Sequence, residues 1–78
     1  MPVVLRFGRF NFYIYPQDHG PPHVHIIAAD AEAKINIEKG RAVAVYGFKR
    51  KTVKHLEQIV TQNKEELLEA WNEYQKEE

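Results

Sequence analysis

A chain of 78 residues and 9.2 kDa, 44% apolar and 28% charged, describes one small domain, residues 1–78, in which about 63% of the unfolded surface can be buried. With no cysteine there is neither a disulfide framework nor a thiolate metal site, so a metal would have to be held by histidine and carboxylate. Eleven basic residues cancel eleven acidic ones, which argues against a dedicated polyanion binder.

The first 46 residues read as strands. Val3, Leu5 and Phe7 alternate with Val4 and Arg6, and after Gly8-Arg9 the alternation resumes with Phe10, Phe12 and Ile14 against Asn11, Tyr13 and Tyr15. Glycine at the first central position suits a type II′ hairpin. Pairing Phe7 with Phe10 then sets Leu5 beside Phe12 and Val3 beside Ile14, so that one face becomes apolar.

Pro16 to Pro22 is a loop by composition. In the third strand Val24, Ile26 and Ala28 point one way and His23, His25, Ile27 and Ala29 the other. A turn near Asp30 leads to Ala33, Ile35 and Ile37, alternating with Lys34, Asn36 and Glu38. A hairpin loop with an even number of residues matches apolar with apolar and sets His23 and His25 among Lys34, Asn36 and Glu38. Glu38-Lys39-Gly40 fits a three-residue turn with Gly40 in the left-handed position, which aligns Val43 and Val45 with Ile35 and Ile37.

From about Lys49 the apolar period becomes helical, with Val53, Leu56, Ile59 and Val60 as one stripe. Asn63 followed by Glu66 resembles a capping box, so a second helix starts there with Leu67, Leu68, Trp71 and Tyr74 on its buried side. The economical architecture is α+β: a curved antiparallel sheet of four to five strands, packed on one face by two C-terminal helices. The other face then carries Tyr13, Tyr15, His23 and His25.

The longest apolar run, Ala42 to Tyr46, is far too short to span a membrane, and Arg6 and Arg9 interrupt the only apolar opening, so no signal peptide is expected. A cytoplasmic location without membrane contact is the expectation. Neutrality hides a gradient: residues 1–62 carry nine Lys/Arg against five Asp/Glu, and residues 63–78 carry two against six. Such a partition, with an outer sheet face left open, predicts association with a partner or a second copy.

Asp18-His19-Gly20-Pro21-Pro22-His23-Val24-His25 is the one stretch dense in functional side chains. Two-residue spacing on a strand puts His23 and His25 on one face with Cβ atoms roughly 7 Å apart, close enough to converge on one ion. His19 can join them from the loop, or the third ligand can be Asp18 or Glu38, a His-and-carboxylate set that suits Zn²⁺, Ni²⁺ or Fe²⁺. The same imidazoles can instead divide general acid and general base between them, as cleavage of RNA through its 2′-hydroxyl requires. Tyr13 and Tyr15 would then stack on bases, while Lys34, Lys49, Arg50, Lys51 and Lys54 met phosphates. A purely structural role is the third possibility: His19 and His23 hydrogen-bond backbone groups around the two prolines and fix the loop, which then serves as a protein-binding surface.

Other features point less far. Pro2 would be N-terminal after loss of Met1, but a proline-dependent tautomerase needs a strand-helix-strand opening, and here a tight hairpin follows. Lys49 to Lys54 reads first as a solvated helix face, though cations at a helix N-terminus leave room for an anionic partner. Trp71 and Tyr74 read as core, and His55 as a boundary residue.

Met1-Pro2, Arg6-Phe7, the Asp18 to His25 string, Ile35-Asn36-Ile37-Glu38 and Lys64-Glu65-Glu66-Leu67-Leu68 with Trp71 resemble the bacterial domain-of-unknown-function family numbered 4160 over nearly the whole chain. The Asp-His-x-Pro-Pro-His-x-His string is the most specific part of that likeness. Where the family commonly has two acids before the first histidine, this chain has Gln17 in place of one, which weakens any chemistry needing both carboxylates. The resemblance implies a small stand-alone protein, often encoded beside another small protein in an arrangement like a toxin-antitoxin pair, and it implies no established reaction. His19, His23 and His25 carry over as motif residues. Taken together, these features predict a two-component, toxin-antitoxin-like protein acting through Asp18, His19, Pro21, Pro22, His23 and His25 with Tyr13 and Tyr15; metal binding, or ribonuclease chemistry by His23 and His25, is the alternative.

Overall fold

The structure is a computed structural model that describes residues 3–15 and 19–76. Five strands, Val3–Phe7 (β1), Phe10–Tyr13 (β2), His23–Ala28 (β3), Ala31–Asn36 (β4) and Arg41–Tyr46 (β5), precede two helices, Arg50–Gln62 (α1) and Lys64–Lys76 (α2). The strands form one antiparallel sheet in the order β1-β2-β3-β4-β5, so each strand pairs with its neighbour in sequence. This is the α+β arrangement that the change from strand to helical periodicity predicts. No helix among the described residues is long and apolar enough to cross a membrane.

Each hairpin follows from its turn and its apolar alternation. Gly8 takes φ 55, and Phe7 pairs with Phe10 and Leu5 with Phe12 as expected. Beyond Leu5 the ladder departs from regular alternation: Val4 is an extra residue, and Val3 pairs with Tyr13 and not with Ile14. A bulge of this kind shifts the register by one residue and adds local twist. The β3-β4 turn consists of Ala29 and Asp30, and this two-residue loop matches Val24 with Ile35, Ile26 with Ala33 and Ala28 with Ala31. The Ile37 N–H donates to the Pro22 carbonyl at 3.0 Å, which extends the ladder past the end of the strand.

The β4-β5 turn departs from the expected three-residue form. Asn36 pairs with Arg41, so Ile37 to Gly40 make the turn, closed by the Gly40 N–H donating to the Asn36 carbonyl at 2.8 Å and the Lys39 N–H donating to Asn36 Oδ1 at 2.8 Å. Gly40 does take the left-handed conformation, φ 66. Val43 is an extra residue, Ala42 faces Ile35, and Val45 faces Ala33 in place of the expected alignment with Ile35 and Ile37.

Phe12, Ile14, Val24, Ile26, Ala33, Ile35 and Ile37 from the sheet meet Leu56, Ile59, Val60, Leu67 and Trp71 from the helices in one buried cluster. Each fully buried large side chain contributes roughly 1.5–3 kcal/mol, so this layer supplies most of the favourable free energy of a chain this small. Asn63 joins the helices in its own way. Its backbone N–H and its side-chain Nδ2 both donate to the Ile59 carbonyl, so the side chain closes the end of α1, whereas a capping box would have it accept at the start of α2.

Candidate functional site

Because the helices cover one face, strand pairing decides what the opposite face presents. The register sets Tyr13, His25, Lys34 and Ala44 in one row across β2 to β5, and Asn11, Ile27, Glu32 and Tyr46 in the next. Tyr15 lies just beyond β2, and its ring stacks on His25, centroids 4.2 Å apart and planes inclined by 23°. The His25 side chain is only 12% exposed under this stack, and its Nδ1 approaches Glu32 Oε2 at 3.5 Å. Glu32 pairs with Ile27, diagonal to His25, and its side chain is 51% exposed. When His25 is protonated, that approach becomes an ion pair at the rim of the stack.

His23 does not share this openness. Strand alternation places it on the His25 side, yet it is 5% exposed, because its ring packs against Trp71 with centroids 5.1 Å apart and against His25 with centroids 5.1 Å apart. Its Nδ1–H donates to the Pro21 carbonyl at 3.0 Å, which fixes the proton on Nδ1 and ties the ring to the proline turn. His23 therefore links the Pro-Pro loop to α2 and supports His25 edge-on, while His25 is the imidazole nearer solvent.

The remaining predicted residues are dispersed. His19 and Pro21 are exposed, Pro22 is half-buried, Glu38 is exposed in the β4-β5 turn, and Asp18 lies outside the described residues. Among the described residues no three His, Asp or Glu side chains come together as a set able to hold a metal ion. His23 and His25 are brought together, but a division of acid and base between them would need both rings at a substrate, and the enclosure of His23 leaves only His25 placed for that. Lys34 stands beside His25 as the alternation predicts.

Strand alternation alone does not mark Glu32, Ala44, Val45 or Tyr46 as site residues, although a two-residue β3-β4 loop fixes Glu32 diagonal to His25. They join His25 and Lys34 around an open depression of about 220 Å³. A larger hollow, about 580 Å³, lies between Val4, Leu5 and α2, rimmed by Glu66, Glu69 and Glu73. It holds no histidine and sits away from the motif, so size does not identify the site here and chemistry does.

The model of a domain of unknown function, DUF4160, matches residues 9–72, a span that includes the proline turn, the histidine strand and Trp71. The chain belongs to the DUF4160 family. No curated protein and no solved structure matches it. In this DUF4160 chain the Pro-Pro-His-x-His string thus splits into two parts: Pro21 and His23 build the turn, and His25 faces outward with Tyr15 and Glu32.

Proposed function

We propose that the protein is one half of a two-component, toxin-antitoxin-like module in the bacterial cytoplasm, and that it binds a small protein partner through the sheet face centred on His25. The observation that carries this is the make-up of that face: a stacked Tyr15-His25 pair with Glu32, Lys34 and Tyr46 around a shallow depression of about 220 Å³. Pockets that enclose small molecules typically span roughly 300–1,000 Å³ and bury most of the ligand. Protein interfaces are instead built on broad faces where aromatic anchors sit within a polar rim. Tyr46, 74% exposed beside the depression, is such an anchor. The product of the adjacent gene is the occupant to which the family resemblance points.

Titration calorimetry with that adjacent product tests the proposal. Wild-type protein is expected to bind it, and His25→Ala and Tyr46→Ala are each expected to weaken binding by roughly 30-fold, the loss typical of an interface hot spot. Glu69→Gln, at the hollow beside Val4 and Leu5 and outside the His25 depression, should leave the affinity unchanged. No binding by the wild type, or equal binding by all four proteins, would contradict the proposal.

A further inference from the structure

β5 is the last strand of the sheet, and among the described residues no strand lies along its outer side. Val43, Val45 and Tyr46 in this strand are 60%, 45% and 74% exposed. An exposed apolar edge is a template for pairing with another chain, and folded proteins commonly blunt it with charge, proline or a bulge. Two such devices protect the beginning of β5: Val43 is the extra residue of the bulge, and the Ala42 N–H donates to Glu57 Oε2 at 2.9 Å. Neither reaches Ala44 to Tyr46.

Charge narrows the choice of occupant. Residues 41–54 include Arg41, Lys49, Arg50, Lys51 and Lys54 and no acid. Arg41 and Lys54 line one hollow beside the start of β5 with Glu57, whose carboxylate is engaged by the Ala42 N–H, and Lys49 and Arg9 line another with Tyr46, Gly47 and a single acid, Asp30, so cations outnumber acids in both. Because α1 packs beside β5, two copies joined edge to edge would bring their α1 helices together with the exposed Lys51 and Lys54 of each. Like charges so placed oppose a self-paired edge and favour an anionic strand.

We infer that the second half of β5, Ala44 to Tyr46, accepts an extended acidic segment of a partner protein as a sixth strand. Its backbone pairs with the free edge, and its carboxylates meet Arg41, Lys49 and Lys54. This deepens and rests on the two-component proposal, because Ala44, Val45 and Tyr46 also border the His25 depression.

The test uses the full chain, ¹⁵N-labelled, with a blocked eight-residue peptide of alternating glutamate and valine and with its lysine-valine counterpart. The acidic peptide should shift the amides of Ala44, Val45 and Tyr46 and bind at least tenfold more tightly than the basic one at low salt. Arg41→Glu with Lys54→Glu, both exposed sites, should reverse that preference. Equal binding of the two peptides overturns the inference. So do shifts confined to the lysines of α1, which would mean charge adsorption only, or β5 shifts that grow with protein concentration alone, which would mean a second copy on the edge. A parallel titration with the adjacent gene product separates the two proposals. If it binds wild type and the double variant equally, the edge has failed as the docking site and the two-component proposal stands. If the peptides behave as expected and that product does not bind, the edge stands and the pairing has failed.

Discussion

Trp71→Ala is expected to remove about 3–5 kcal/mol of stability, the usual cost of emptying a large aromatic site in a core. A chain of this size has roughly 4–12 kcal/mol in total, so the loss is a large share of its stability and unfolds the variant outright only if the total lies near the lower end. Trp71 is 6% exposed, and its ring lies against His23, which in turn lies edge-on to His25. Loss of the indole therefore empties the core and removes the wall that holds His23 on the Pro21 carbonyl. Trp71→Phe keeps an aromatic ring there and should recover more than half of the loss. Urea or thermal unfolding followed by far-ultraviolet circular dichroism gives the comparison, with a fall in the melting temperature of roughly 12 °C or more for the alanine variant. A shift of less than about 4 °C would show that Trp71 does not hold α2 to the sheet in the way described.

The second large effect is expected at Gly40. Its φ of 66 lies where a Cβ costs roughly 1–2 kcal/mol, and a Cβ built there collides with Thr61 Oγ1. The hydroxyl cannot swing aside without cost, because it donates to the Glu57 carbonyl at 2.9 Å. Overpacking adds roughly 1–3 kcal/mol, so Gly40→Ala should lose about 2–5 kcal/mol in denaturant unfolding. The two contributions separate in a double-mutant cycle: Thr61→Ala in the Gly40→Ala background removes the collision and should return stability to within about 2 kcal/mol of Thr61→Ala alone, leaving only the backbone term. A double variant no more stable than Gly40→Ala would place the damage elsewhere. The same closeness shows how the start of β5 meets α1. No room is left for a side chain between Gly40 and Thr61, and just past the turn the Ala42 N–H bonds Glu57, which fastens this end of β5 to α1 in addition to the shared core.

What the sequence made legible is what periodicity and turn chemistry decide locally. Val24, Ile26, Ala33 and Ile35 each occupy alternate positions, so any even-numbered loop buries all four, and the two-residue turn at Ala29-Asp30 selects among those registers. The helical stripe of Leu56, Ile59 and Val60 and the restart after Asn63 were equally local signals. The two bulges were not legible. Val4 and Val43 look like any other strand residue, and no local pattern marks either as the extra one; beside Val43, the Ala42 N–H turns to a carboxylate fifteen positions away. His23 is the instructive case at the site. Alternation correctly assigns it to the side of His25, but its burial depends on Trp71, which no pattern within the strand reveals. As a result the described Pro21 to His25 part of the string, one cluster in sequence, becomes a turn-building part and an outward part. Glu32 and Tyr46 then join the outward part from β4 and β5 through cross-strand pairing.

The central claim is that the sheet face at His25 is the docking surface, and hydrogen exchange read on the complex with the adjacent gene product tests it most directly. The account predicts added protection at Tyr13 and Tyr15, at His25 to Ile27, at Glu32 to Lys34 and at Ala44 to Tyr46, with the exposed surface of α2 from Glu65 to Glu73 unchanged. Protection confined to α2 or to the hollow beside Val4 and Leu5, with the His25 face exchanging as in the free protein, would contradict it.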